Sequence, residues 1–388
     1  SLRRTYYDLI LGPVLKKAKL VEGDVALPNF RDLQFRASLP MNESNKVILN
    51  ALTSRDGVSL ISGAERDRAD SVSLFDESYN TMVGALWQLN PANDLIVNTQ
   101  LSWYRNTGAG AFDGTFIDPS QNTGNVSRGD TLGLRFVRFA VDYDYIYTKT
   151  SVAQRLLWNS DVHTFEGGYG VDFLQTDFVR YFKIDQALKD FIAQRGFVVP
   201  TDETETVHYT RYNFYAQDRI AIDERLFIQP GLRVDLYPVL KTKAYVSPRV
   251  NISYKVNDLT TIRAAYGMYV QSPGMEKQIF QSRVTFSDAA FRTLEAERAQ
   301  HYILGFDRMV TASWQFKFET YYKNFESVIV PEKLQGSRWY SQRTADSIFS
   351  VRGWTAPVRV PSDSLTSFPV NDATGKSYGF EVMLQKIR

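Results

Sequence analysis

The sequence predicts an all-β protein, a transmembrane antiparallel β-barrel with long extracellular loops and short periplasmic turns. Three observations support this prediction. Apolar and polar residues alternate in many segments, no apolar run is long enough for a membrane-spanning helix, and short and long connections alternate along the chain. A spanning helix needs about 20 consecutive apolar residues, whereas a barrel strand turns only every second residue towards lipid.

The segment WQFKFETYYK at 314–323 shows the alternation most clearly. Its bulky apolar side chains share one parity: Trp314, Phe316, Phe318 and Tyr322. Its polar side chains take the other: Gln315, Lys317, Glu319 and Lys323. One such strand also suits a soluble sheet with one face on a core. At about 3.3 Å per residue and a tilt of about 40°, however, the apolar residues rise about 20 Å along the membrane normal, which nearly fills an apolar band of about 25 Å.

Similar segments recur throughout the chain, and together they predict about 14 strands. The predicted strands are residues 2–11, 29–39, 45–54, 78–89, 94–105, 142–158, 161–174, 206–221, 225–237, 246–256, 258–270, 299–309, 313–327 and 376–387. A pattern that continues through the whole chain favours one large sheet over several separate domains.

The connections predict which end of each strand faces which side of the membrane. Short links lie at 90–94, 159–161, 223–225 and 257–258. Long links lie at 12–28, 55–77, 106–141, 175–205, 238–245, 271–298 and 328–375. Outer-membrane barrels have short periplasmic turns and long extracellular loops. Within 175–205, Ile184, Leu188, Phe191 and Ile192 fall at helical spacing, which predicts a short loop helix that packs against the rim or acts as a lid.

Composition agrees with a barrel and argues against other classes. Aromatic residues make up 14% of the chain, with 22 Tyr and 25 Phe, as interfacial aromatic girdles require. The net charge of +2 argues against a nucleic-acid partner. There are no cysteines, and His163, His208 and His301 lack metal-ligand spacing. No catalytic, cofactor-binding or metal-binding motif is found, so we predict that the protein is not an enzyme and has no cofactor.

Four stretches also resemble consecutive strands of the TonB-dependent outer-membrane receptors. They are RYNFYAQDRIAIDERLFIQPGLRVDLY at 211–237, SPRVNISYKVNDLTTIRAAYGMYVQSP at 247–273, EAERAQHYILGFDRMVTASWQFKFETYYKNFESVI at 295–329 and GKSYGFEV at 375–382. The YAQD, GLR, PR, QSP, YxLG and GxE elements of that family occur here in the same order. Two positions depart from the family pattern. Glu297 corresponds to a Glu of the family that commonly follows a Pro, but here it follows Ala296. Ile303 stands where the family often has an acidic residue.

The resemblance implies an active importer in the outer membrane of a Gram-negative bacterium. Such receptors take up a scarce nutrient, such as a siderophore, cobalamin, glycan or peptide, and the TonB energy-coupling system acts on them through a plug domain in the barrel. The family barrel has about 22 strands. We therefore expect residues 1–388 to be a barrel fragment, with the N-terminal plug and the C-terminal strands outside this sequence.

The polar parity supplies candidate residues for contact with a plug or a ligand in the barrel lumen. These candidates are charged residues of the family-like strands: Arg211, Arg233, Arg263, Lys317, Glu319 and Glu381. The sequence does not name the substrate, because receptors for different nutrients share these strand motifs.

Two alternatives remain open at this point. Instead of an importer, the chain could be a complete passive channel of about 14 strands, or a receptor-like barrel that serves as a structural subunit of a surface complex, with a surface lipoprotein as a partner. A complete channel requires the strand at 2–11 to pair with that at 376–387. The fragment hypothesis instead places Tyr378 to Leu384 far from Tyr6 to Ile10.

The parity assignment predicts how substitutions affect stability. Arg in place of Phe316 or Phe318 should lower the free energy of unfolding by about 2–4 kcal/mol, because both side chains are expected near the middle of the bilayer. Arg in place of Gln315 or Lys317 should be tolerated. Denaturant unfolding of the protein in lipid vesicles measures both effects, and an equal cost on both parities would contradict the assignment.

Overall fold

The structure is a computed structural model that describes residues 2–4, 25–62, 71–117, 136–194, 201–273, 293–340, 342, 355–356, 358–361 and 363–387. Its backbone contacts group into two compact units, residues 1–160 with 166–214 and residues 161–165 with 215–388. No helix in the described ranges is long and apolar enough to cross a bilayer.

Strands make up most of the described chain. The first half contains β1 (Leu2–Arg4), β2 (Val25–Asn42), β3 (Asn45–Ser62), β4 (Ser71–Ala92), β5 (Leu95–Ile117), β6 (Phe136–Asn159), β7 (His163–Ile184), α1 (Gln186–Gln194) and β8 (Glu203–Ala221). The second half contains β9 (Leu226–Leu236), β10 (Ala244–Asn257), β11 (Thr260–Gln271), β12 (Glu297–Met309), β13 (Trp314–Leu334), β14 (Ser337–Tyr340), β15 (Val358–Pro361) and β16 (Ser364–Lys386).

Fourteen of these strands form one antiparallel sheet in the order β1 to β13 and then β16, while β14 and β15 pair with each other. The predicted all-β fold is confirmed, and each predicted strand overlaps a strand of the structure. The first predicted strand, 2–11, is described only at Leu2–Arg4. The β14 and β15 hairpin was not predicted.

The predicted extents of four long loops, 55–77, 106–141, 175–205 and 328–375, are wrong. The flanking strands continue well into each of them; β5, for example, runs to Ile117, and β6 begins at Phe136. Most of these extensions carry polar residues on both faces, so they lack the alternation that marks a strand within lipid. Short connections do alternate with longer ones, as predicted.

Cross-strand packing of glycine and tyrosine explains why the extension of β5 was mistaken for a loop. Gly108 and Gly110 lie opposite Tyr145 and Tyr143 of β6. A Cβ atom on either glycine would lie 2.2 Å from the facing tyrosine ring, so only glycine fits beneath these rings. A Gly-rich sequence usually indicates a turn, but here each glycine is covered by an aromatic ring from the next strand.

The predicted loop helix is present as α1, and it packs on β6. Asp185, directly before the helix, accepts a hydrogen bond from the backbone N–H of Arg138 at 2.7 Å and donates its own N–H to the Arg138 carbonyl at 3.1 Å. Ile184 ends β7 rather than belonging to the helix. Of the two roles considered, packing against the strand ends is the one that the structure shows.

Four of the short turns share one device, a polar side chain that accepts hydrogen bonds from the backbone that follows it. Asp223 accepts from the N–H groups of Arg225 and Leu226, both at 2.7 Å, and these bonds hold the pKa of Asp223 below its usual range. Asn42, Asn257 and Thr311 make similar bonds in their turns. Such side chains favour a tight turn by replacing one of its backbone bonds.

A buried cluster joins the loop-side ends of β10, β12 and β16. Leu294 is 1% exposed, Ala296 is fully buried and Tyr245 is 4% exposed. The Ala296 N–H donates to the Tyr245 hydroxyl at 2.9 Å. Asn371 of β16 accepts from the Glu295 N–H at 2.7 Å and donates to the Glu295 carbonyl at 3.0 Å. The Ala296 that replaces the family's proline therefore supplies a hydrogen bond that proline cannot make.

The same cluster holds a bulge in β13. Ser327 has a φ of 55°, in the left-handed region, and the regular pairing of β13 with β16 is interrupted beside it. The Asn371 side chain donates to the Ser327 carbonyl at 2.7 Å, and the Glu297 carboxylate accepts from the Ile329 N–H at 3.1 Å. These bonds satisfy backbone groups that the bulge leaves without ladder partners.

The pairing of the terminal strands bears on the alternatives left open by the sequence. β1 pairs with β2, and β16 pairs with β13. Residues 6–10 lie outside the described ranges, so the predicted separation of Tyr378 to Leu384 from Tyr6 to Ile10 stays a prediction.

The Ala296 hydrogen bond can be tested with a double-mutant cycle. Tyr245→Phe should lower the free energy of unfolding by about 1–3 kcal/mol, because it leaves a buried N–H without an acceptor. In an Ala296→Pro background the same substitution should cost less, since that N–H no longer exists. Denaturant unfolding in lipid vesicles measures the coupling. Equal costs of Tyr245→Phe in both backgrounds would show that the bond contributes nothing.

Candidate functional site

One face of the sheet in the second unit carries the apolar parity predicted from the sequence. We call this parity the apolar face and the opposite parity the polar face. Tyr266, Tyr302, Tyr322 and Tyr378 lie in one row across β11, β12, β13 and β16. The ring centroids of Tyr266 and Tyr302 are 5.0 Å apart, and those of Tyr302 and Tyr322 are 6.2 Å apart. Tyrosines in such a row match an aromatic girdle at a membrane interface.

Apolar residues fill the apolar face from this row towards the short turns. Phe318 and Phe380 stack at 6.3 Å, and Phe380 is 71% exposed among the residues that the structure describes. In the first unit, two tryptophans mark the short-turn end of the same face. The indole N–H of Trp87 donates to the Asn45 side chain at 3.1 Å, and that of Trp158 donates to Asp94 at 2.9 Å. An apolar band bounded by aromatic residues is expected of a strand surface in contact with lipid.

The polar face of the second unit contains a concave site of about 510 Å³ towards the short-turn ends of β9 to β13. Three of the six predicted lumen residues line it: Arg263, Lys317 and Glu319. Gly305 lies between Arg263 and Glu319 in the same row of residues. Because glycine has no side chain, the row has a gap there, and the gap forms the floor of the site.

The charges in this site are only partly matched. Arg263 pairs with Asp307 at 2.6 Å, and the arginine side chain remains 60% exposed. Glu319 lies directly opposite Glu381 on the neighbouring strand, and both are exposed. Within the described part of the chain, no basic side chain forms an ion pair with either glutamate. Two like charges in facing positions destabilise a sheet, so this pair would be stabilised by a cation placed between them.

Sequence reasoning missed a second feature of this site. The Phe227 ring lies on the polar face, with the Arg219 guanidinium 4.6 Å and the Lys255 ammonium 5.6 Å from its centroid. Phe227 breaks the alternation of its own strand, and this irregularity was the available signal. Ile303, which stands at the often acidic family position, also lines the site, so that carboxylate is missing here.

The structure places the remaining predicted residues elsewhere on the polar parity. Arg233 binds Asp235, two residues along its own strand, at 2.8 Å. Arg211 belongs to the first unit, where it binds Asp172 at 3.0 Å. Asp172 also accepts from Ser151 at 2.6 Å and pairs with Lys149 at 3.2 Å. These two arginines have carboxylate partners of their own, unlike Lys317, Glu319 and Glu381.

The arrangement is suited to binding a charged surface. The site combines exposed cations, two unpaired carboxylates and one aromatic ring on a rigid sheet. Among the described residues, no group of three or more His, Asp or Glu side chains could hold a metal ion.

Comparison with known proteins agrees with this architecture. The family model described as TonB dependent receptor-like, beta-barrel matches residues 28–385. A search of curated proteins finds no match. Among solved structures, the RagAB peptide importer in the "closed-closed" state is similar with a TM-score of 0.53 and 11% identity, over 94% of this chain and 47% of that chain. The RagAB peptide transporter is similar with a TM-score of 0.54 and 10% identity, over 94% of this chain and 46% of that chain.

The chain thus spans about half the length of these structures, and at such low identity the similarity extends to the fold. The family match, in contrast, covers most of the chain. Its extent agrees with the strand order, the aromatic rows and the two unlike faces of the sheet. The chain therefore belongs to the TonB-dependent receptor-like β-barrel family, whose members are outer-membrane proteins of Gram-negative bacteria.

Proposed function

We propose that this chain is barrel sequence of a TonB-dependent importer that takes up a scarce nutrient across the outer membrane. In this proposal the polar face surrounds a plug domain, and the TonB system acts on that plug. The family match supports the importer class. Because the similarity to solved importers extends to the fold, the proposal names import and leaves the nutrient open.

The proposed role of the polar face in plug binding rests on one observation: Glu319 and Glu381 lie directly opposite each other on neighbouring strands. In a barrel filled only with water, this pair would weaken the sheet. It becomes favourable when a Lys or Arg from another domain binds both carboxylates. We therefore propose that Glu319, Glu381 and the adjoining Arg263 and Lys317 hold a plug surface that presents charges of both signs. All three arginines have a carboxylate partner, but the side chains of Arg211 and Arg233 are only 22% and 36% exposed, so these two serve mainly to order the polar face.

The proposal predicts opposite effects of one double substitution in two settings. In the receptor's barrel folded without its plug into lipid vesicles, Glu319→Gln with Glu381→Gln should keep or raise the free energy of unfolding, because the repulsion between the carboxylates is removed. In cells that produce the receptor with its plug, the same change should loosen the plug and raise uptake of a large antibiotic that the intact outer membrane excludes.

The matched control is Glu224→Gln, the same chemical change in an exposed short turn. It should alter neither stability nor antibiotic uptake. Unchanged antibiotic uptake in the double variant would contradict plug binding by these glutamates. A loss of stability in the plug-free barrel would instead show that the two carboxylates are satisfied within the barrel itself.

A further inference from the structure

A second charged cluster lies on the opposite face, in the first unit. Arg31, Arg55 and Arg105 belong to β2, β3 and β5, and all three share the parity of the apolar face. We call these three residues the arginine patch. Charged residues are costly in contact with hydrocarbon. Their height relative to the bilayer is therefore informative.

Each arginine lies where the apolar band ends on the loop side. On β2 the apolar-face residues from the short turn upward are Met41, Leu39, Ala37, Phe35 and Leu33, and the next is Arg31. From Met41 to Leu33 is about 20 Å along the membrane normal at a tilt of about 40°. On β5 the corresponding residues run from Leu95 to Trp103, over the same number of positions, and the next is Arg105. Two strands thus each place an arginine directly after five residues of the band on this face.

The arginines form one concave surface. Arg31 lies opposite Arg55, and Arg55 lies opposite Tyr79. A depression of about 280 Å³ is lined by Arg31, Arg55 and Tyr79, with Leu33 and Thr53 below them. Asp32 also lines it but has the polar parity, and its carboxylate pairs with Arg3 at 3.1 Å. Arg105 is one row nearer the apolar band, beside Thr81. The surface therefore combines guanidinium groups, hydroxyl groups and an apolar lower rim.

One member of the patch is held in place by its neighbours. Glu77 forms an ion pair with Arg55, and the Arg55 guanidinium lies 5.4 Å from the centroid of the Tyr79 ring. Close to the patch, Glu77 is the acidic residue that the structure describes on this face of β2 to β5. Three arginines and one glutamate give the patch a net positive charge. A fixed guanidinium beside two others suits the bidentate recognition of phosphate oxygens.

The position of the patch identifies its ligand. Leu33, Phe35 and Trp103 below the patch are 52%, 59% and 36% exposed, as expected of side chains that face acyl chains in an outer-membrane barrel. A ligand on this surface must therefore carry anionic groups directly above hydrocarbon. We infer that the arginine patch binds the phosphate groups of an anionic lipid in the leaflet on the loop side, with the lipid's acyl chains packed on the apolar face below.

Lipid selectivity of the folded protein tests this inference. The protein is placed in phosphatidylcholine nanodiscs, and electron paramagnetic resonance measures its association with spin-labelled phosphatidic acid relative to spin-labelled phosphatidylcholine. Wild type should prefer phosphatidic acid. Arg31→Gln with Arg105→Gln should reduce that preference by roughly five-fold for each arginine removed. Arg55 is kept, so that Glu77 retains its partner, and each single variant should show part of the effect.

Arg36→Gln is the matched control, because Arg36 belongs to β2 but has the polar parity. It should keep the full preference, and denaturant unfolding of all variants confirms that they are folded. An equal preference in wild type and the double variant would overturn the inference. So would displacement of phosphatidic acid by inorganic phosphate beyond the effect of sodium chloride at equal ionic strength, because the site would then be one for free phosphate.

Discussion

The rest of this structure depends on the need to satisfy every backbone N–H and C=O group in a medium without water. A strand within hydrocarbon must pair along its whole length, because each unpaired group costs several kcal/mol. The pairing of β12 with β13 is accordingly regular from Met309 to Arg298. The irregularities in the pairing of β13 with β16 begin beyond Phe325, on the loop side of the tyrosine row. There, side chains such as Asn371 and Glu297 can satisfy the backbone.

Regular pairing in turn separates the two faces of the sheet. Because side chains alternate, Tyr302 and Tyr322 lie on the apolar face. The two neighbouring rows contain Ile303 and Lys323, which lie on the polar face. The two proposed sites follow from this geometry. In these proposals the glutamates of the polar face bind another domain, and the arginines of the apolar face bind lipid headgroups. The same physical constraint thus supports an internal protein contact and an external lipid contact.

The loop-side extensions use different packing from the membrane band. Gly108 and Gly110 lie beneath the rings of Tyr145 and Tyr143, and Asp185 fastens α1 to β6. These contacts extend ordered strands past the apolar band and bring a helix onto their ends. They also account for the main error in the sequence-based prediction. Glycine normally indicates a turn, and only the facing tyrosines of another strand reverse that meaning.

The sequence by itself determined the fold class, the succession of strands and the face on which each side chain lies. At 314–323, for example, alternation alone separated Phe316 and Phe318 from Lys317 and Glu319. Only the tertiary structure decided which polar side chains meet: Arg263 with Asp307, Glu319 with Glu381, and Arg31 with Arg55. The physical reason is that alternation has a period of two. A slip of two residues between neighbouring strands preserves both faces and changes every cross-strand partner, so the pattern specifies the face and leaves the register to packing and turn geometry.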